Sequence, residues 1–154
     1  MFNRKYIIKG EDTSPILNNF INYMSDQTNE FSFVLKCSPH GVGVFATHNI
    51  QSGTYLRLFG DENSLKRRST IRDKKDIPEF LQSYCIDRGS TMICPKDFGH
   101  LEPGWYLNHS TTPNAIHRQY DWFASRDIAT GEEITIDYNS LEEPDETKEE
   151  YYRH

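Results

Sequence analysis

A chain of 154 residues has room for one domain, with a core that removes roughly two-thirds of the surface its unfolded form exposes. With 36% hydrophobic, 13% aromatic and 26% charged residues it is composed like a globular protein, and no stretch approaches the eighteen apolar residues of a membrane span, so disordered, fibrous and membrane-spanning classes are excluded. The net charge is −6, of which residues 142–154 carry −4, leaving no broad basic face for direct nucleic-acid binding.

The opening MFNRKYIIKGEDT has basic residues but no apolar run of seven and no small-residue cleavage site. No secretory signal is expected, and the chain reads as intracellular, cytoplasmic or nuclear. From Ser14-Pro15 the residues Ile16, Leu17, Phe20, Ile21 and Met24 follow helical spacing behind an N-cap, which predicts a helical extension over residues 1–30. From residue 31 to 140 the pattern changes to short strands with turn punctuation: FSFVLK, then 41–46, then 54–59 after a Ser52-Gly53 turn. Residues 63–75 are polar and basic and predict an exposed loop or short helix, and 78–84 predicts another helical turn or two. Strand-like pieces follow at 84–87, 91–93, 115–118, 122–125 and 133–136. Residues 141–154 form an acidic tail, suited either to plain solvation or to a basic peptide partner. Three cysteines, Cys37, Cys85 and Cys94, stand at gaps of 48 and 9, which matches neither a disulfide framework nor paired CxxC zinc ligands. The predicted class is mainly β with short helices, built as small twisted sheets.

Three segments carry chemistry. The first, Gly41-Val42-Gly43-Val44-Phe45-Ala46, matches a G-x-G-x-x-A dinucleotide fingerprint, with Asp61 and Glu62 near the ribose distance. That motif needs a helix to open at its second glycine, whereas VFATHNIQSGTYLRL is β-branched and broken by Ser-Gly, so a nucleotide-binding oxidoreductase is the weakest reading. The second, Trp105 to Asn114, holds Asn108 and His109 side by side, able to grip a heteroaromatic ring and an ammonium, or simply to make a polar turn before Pro113. The third, Phe123 to Tyr138, describes two strands around the Gly131 turn with a tyrosine just past the second, which in isolation is an ordinary rim aromatic.

In this order, GVGVFA, NHSTTPN and GEEITIDY resemble the SET-domain protein-lysine methyltransferases, with Tyr138 standing 24 positions after Asn114. The resemblance implies a SET fold with a C-terminal pseudoknot, in which the Asn-His segment passes a loop near the Asp-Tyr element. It implies an S-adenosylmethionine pocket lined by Gly41, Val42, Gly43, Val44 and Phe45, with Trp105, Asn108 and His109 also on the cofactor. Tyr138 becomes the catalytic residue facing the transferring methyl, and Leu58, Phe59, Tyr84, Tyr106 and Ile136 become walls of the lysine channel. The partner implied is a protein with a target lysine; a histone tail, a ribosomal protein or another basic protein is compatible, and no membrane is involved. Two departures stand out. Leu58 occupies a position where many family members have a tyrosine, which raises the rival reading of a SET-fold module that binds a basic peptide without turnover. Ile136 stands where Phe or Tyr tunes the methylation degree, which leaves room for more than one methyl. The cysteine-rich zinc segments that often flank such domains are missing, so no structural metal is expected, and Tyr151 and Tyr152 are candidates to cover the site instead.

Overall fold

The computed structural model describes residues 26–60 and 68–153. The helix expected from Ser14 and the first residues of the 63–75 segment lie outside the described residues.

Phe33–Ser38 (β1) and Gly41–Ala46 (β2) form an antiparallel hairpin closed at Ser38 and Gly41, with Pro39-His40 at the corner. Proline's fixed φ suits the first corner position. Gly41 then leaves the turn at φ +112°, where a side chain is disfavoured. Residues 47–60, the described chain that follows β2, contain no helix, in keeping with the β-branched run that follows Gly43. Residues 54–59, expected as a strand, contribute only a bridge at Tyr55; they run through the core as irregular chain, with Leu56 and Leu58 at zero exposure. Burial of each such leucine contributes about 2 kcal/mol, so packing rather than a ladder fixes this stretch.

Ser69–Asp73 (β3), Glu79–Gln82 (α1), Ile86–Asp87 (β4) and Thr91–Pro95 (β5) make a small layer in which the strand order is β3-β5-β4. β3 corrects the loop-or-helix expectation for the described end of residues 63–75. Its pattern is invisible because it is a solvated edge: Ile71 is 72% exposed, and the strand exists through pairing with β5 rather than through an apolar face of its own.

Asn108–His109 (β6), Ala115–Arg118 (β7), Asp121–Ala124 (β8) and Glu133–Ile136 (β9) complete the domain. The four-stranded sheet runs β1-β2-β9-β6, and its last pair is parallel, Asn108 opposite Thr135 and His109 opposite Ile136. A parallel pair needs a crossover, which the β7–β8 hairpin supplies. Both residues of that hairpin's turn, Gln119 and Tyr120, have positive φ, a conformation that costs about 1 kcal/mol per non-glycine residue. Tyr120 is held there by stacking on His117 at 4.9 Å, by donating to the Leu141 carbonyl at 3.2 Å, and by accepting from Arg88 at 2.7 Å. The strands alternate as half-buried sheets should, with Trp122, Ala124, Ile134 and Ile136 inward. The fold is therefore mainly β, with small sheets and short helices, as expected. No helix among the described residues is long and apolar enough to cross a membrane.

A buried side chain also bonds β9 directly. Asn114, 1% exposed, accepts the Thr135 N–H at 2.9 Å and donates to the Glu133 carbonyl at 2.7 Å, behaving as one more strand residue beside β9. It also donates to Glu132 at 3.1 Å. The Arg126 guanidinium beside Glu132 lowers that carboxyl from 4.5 to about 2, against the opposing effect of burial and with help from the Ala129 N–H and Asn114. A depressed native pKa adds stability that is complete above the unfolded value and lost as pH falls toward the native one. Glu132→Gln is therefore expected to be less stable than the parent at pH 6, the gap closing between pH 4.5 and about 2; urea unfolding along that series checks it, and a gap independent of pH contradicts it.

Candidate active site

The second glycine of the GxG segment is explained by what lies against it. A Cβ on Gly43 would stand 2.1 Å from Oε1 of Glu133 and 3.0 Å from Nδ2 of Asn108. Its absence lets the Asn108 amide reach across, donating to Glu133 at 2.7 Å, to Ser38 Oγ at 3.1 Å and to the Val42 carbonyl at 3.2 Å. Asn108 thus fastens β6 to β9 and to the β1–β2 hairpin at once.

His109 follows with its side chain 8% exposed. Its Nδ1 accepts the Tyr138 backbone N–H at 3.2 Å and lies 3.8 Å from the Asp137 carboxylate, and its ring centroid is 5.4 Å from that of Tyr138. Tyr138 opens the 3-10 turn Tyr138–Leu141, where Asp137 caps by accepting from Asn139 N–H. The Tyr138 hydroxyl donates to the Leu107 carbonyl at 2.8 Å, which fixes the proton's direction and leaves the oxygen's lone pairs free to accept. Burial, followed by the nearby Tyr151 and Tyr152 hydroxyls and the Glu143 and Glu149 charges, pushes this phenol well above its ordinary range. It is a neutral hydroxyl at any physiological pH and not a base.

Around these groups lies a cavity of about 1100 Å³. Of the residues singled out in the sequence, Gly41, Val42, Trp105, Asn108, His109 and Tyr138 are on its wall, as are Tyr84, Tyr106 and Ile136. Tyr84 and Tyr106 meet edge to face at 5.5 Å. Five others are not brought to the wall. Gly43 sits behind Asn108 and Glu133, Val44 and Leu58 are fully buried in the core, Phe45 turns away beneath the Lys36 ammonium at 5.7 Å, and Phe59 packs on Trp105 at 5.5 Å under Gly104. These follow from strand alternation and core packing, which put Val44 on the inward face and leave the cavity to the backbone of Gly41 and Val42.

Further groups complete the site, among them Tyr151 and Tyr152, which the sequence offered as its cover, and others that it did not point to. Leu107 matters through its carbonyl, which no side-chain pattern reveals. Residues 141–153 fold back instead of trailing into solvent: Tyr152 is 5% exposed, with its ring 5.2 Å from Tyr138 and 5.8 Å from His109, and Tyr151 lies 6.1 Å from His109. The double tyrosine was the available signal. Acidic side chains Glu79, Glu143 and Glu149 reach the wall as well, while Asp87 there is paired with Lys74 at 2.5 Å.

The family model of the SET domain matches residues 41–139. This chain belongs to the SET-domain family. Among curated proteins, an H3 lysine-4-specific histone-lysine N-methyltransferase of Schizosaccharomyces pombe is 32% identical over 117 residues, covering 69% of this chain and 12% of that protein. An H3 lysine-36-specific histone-lysine N-methyltransferase of Candida albicans is 29% identical over 118 residues, covering 69% of this chain and 14% of that protein. The chain thus spans about one-seventh of the length of these relatives. A solved Plasmodium falciparum structure, described as a candidate histone methyltransferase, has a TM-score of 0.47 and 21% identity over 70% of this chain and 93% of that one. The cavity residues named for cofactor, catalysis and channel fall inside the SET match, whereas Glu143 and the covering Tyr151 and Tyr152 lie beyond it.

The burial of Leu58 changes what its difference from a tyrosine means. At this position a larger polar side chain has a packed core to displace, not an open channel to enter. Leu58→Tyr is expected to lower unfolding stability by about 1–3 kcal/mol; thermal or urea unfolding measures it, and a variant as stable as the parent contradicts this placement.

Proposed function

We propose that this SET domain binds S-adenosylmethionine and transfers its methyl group to the ε-amine of a lysine in a basic protein segment. The observation that carries the reading is the Tyr138 hydroxyl, oriented by the Leu107 carbonyl beside His109 and opening onto a cavity with tyrosine walls.

The residues present suit the cofactor. A volume near 1100 Å³ accommodates a nucleoside-sized ligand together with a side chain. β6 is the edge of its sheet, so one row of its backbone polar groups is unused by β9. Those groups, the His40–Val42 backbone, the Asn108 and His109 side chains and the Trp105 ring would hold the adenosine and amino-acid ends. Bound there, S-adenosylmethionine supplies an electrophilic methyl on a sulfonium. The chain's own task is then to deliver a neutral amine in line with it.

Lysine's ordinary pKa near 10.4 leaves it protonated at neutral pH. Aromatic walls at Tyr84, Tyr106 and Tyr138 exclude water from the ammonium and so favour its neutral form, the proton leaving to solvent before the amine is seated. The fixed Tyr138 oxygen accepts from the amine or from polarised C–H bonds and holds the nucleophile still. Ile136, branched and without a hydroxyl, leaves apolar room beside it, suited to more than one methyl. Glu79 and Glu149 favour a peptide rich in positive charge, and the curated relatives are named for histone H3 lysines, so a histone tail is the substrate to try first.

Transfer of labelled methyl from S-adenosylmethionine to histones and to a whole-cell lysate tests this. Lysine methylation of a basic protein is expected, and Tyr138→Phe should reduce kcat on the order of 100-fold while cofactor affinity changes less than about threefold. Cofactor binding with no transfer to any protein contradicts the proposal and leaves a peptide-binding module.

A further inference from the structure

The C-terminal segment covers His109 and Tyr138, and one carboxylate within it bonds both β4 and the Tyr152 hydroxyl. We propose that Glu143 is a positioning residue: its side chain straps the Tyr152 ring against Tyr138 by joining the last turn of the chain to β4. Oε1 of Glu143 accepts the Asp87 backbone N–H at 2.9 Å, and Oε2 accepts the Tyr152 hydroxyl at 2.8 Å. Both oxygens are therefore used, one on each side of the cavity.

The chain is prepared for this reach. Leu141 is buried, and its carbonyl is held by Arg88 at 2.8 Å and by Tyr120 at 3.2 Å. Glu142 then adopts φ 62°, a left-handed residue that turns the next side chain back toward β4. Asp87 is immobilised in turn, its carboxylate bound by Lys74 at 2.5 Å and by the Gly89 N–H at 2.7 Å. From the other direction, Asn139 donates to the Tyr152 carbonyl at 2.7 Å. Tyr152 is thereby fixed at its carbonyl by the turn that carries Tyr138, and at its hydroxyl by Glu143. Without the carboxylate the ring keeps one tether and can swing from its edge-on contact with Tyr138, 5.2 Å between centroids. Glu142, Glu143 and Tyr152 lie beyond the matched SET segment, which ends at residue 139, whereas Asp87, Arg88 and Asn139 lie within it.

A cover that is closed only part of the time weakens ligand binding by the closed fraction, yet bound substrate draws it shut, so turnover at saturation survives. Glu143→Leu keeps much of the bulk but removes both acceptors, so neither the Asp87 N–H nor the Tyr152 hydroxyl keeps its partner. Its expected effect is a rise of about tenfold in KM for the methylated peptide with kcat within about twofold. Amide exchange at Asp87 and across 149–153 should accelerate by about tenfold. Tyr152→Phe should accelerate exchange across 149–153 but not at Asp87, whose bond to Glu143 it leaves in place, and the double variant should be no worse than the Glu143 one. The kinetic arm rests on the methyl-transfer reading above; the exchange arm reads the strap in a protein that transfers nothing. Unchanged exchange at Asp87 in Glu143→Leu, or effects of the two substitutions that multiply, overturns the proposal.

Discussion

The site depends on one pairing: two residues, Asn108 and His109, lying parallel to the end of β9. Two residues are a weak ladder, and a parallel pair separated by a whole hairpin bears a loop-closure cost. The pairing is therefore reinforced by side chains. Asn108 ties it to Glu133 and to the first hairpin, Asn114 bonds β9 itself with its amide, and the absence of a Cβ at Gly43 makes room for the first of these. Once β6 is held, His109 meets the backbone of Tyr138 and the Leu107 carbonyl meets its hydroxyl. Architecture and chemistry are joined at that step, because the same strand residues that close the sheet aim the phenol.

The cavity that results separates two kinds of surface. Toward β2 and β6 it presents backbone and amide groups, suited to a polar ligand of fixed shape. Toward α1 and the C-terminal turn it presents tyrosine rings edged with carboxylates, suited to an alkyl chain ending in a cation. The second surface is assembled from segments far apart in the chain, and residues 141–153 contribute to it through folded-back contacts instead of through a ladder. Residues that share a sheet are held by many bonds, whereas this closing segment is held by few, which is why a single carboxylate can matter there.

How much of this was legible depended on whether a residue's role is local. The boundaries of β2, β7 and β9 could be read because apolar alternation and flanking turn residues mark them, and Asn108, His109 and Tyr138 could be read because they stand in long motifs. β3 could not, since an edge strand with an exposed isoleucine has no inward face to show. β6 could not either, being two polar residues defined wholly by their partner strand. Placing Leu58 and Phe59 on the channel failed for a related reason: a motif fixes order along the chain but not which side of a wall a side chain occupies, and packing put both in the core. The roles of the Leu107 carbonyl and the Glu143 bridge depend on contacts 31 and 56 residues away, and no periodicity reports such distances.

The most direct test of the account is the Ser110 amide, which leaves β6 by donating to the Ile136 carbonyl at 2.9 Å. Residue-resolved hydrogen exchange by NMR reads it in the unliganded protein. If the parallel pairing organises the site, Ser110 is protected to nearly the degree of the Val44 and Ile134 amides at the centre of the sheet, and through-space contacts link His109 with Ile136. Exchange at Ser110 as fast as that of an open loop, with Val44 still protected, would mean that the sheet forms without β6 and that the site has no preassembled frame.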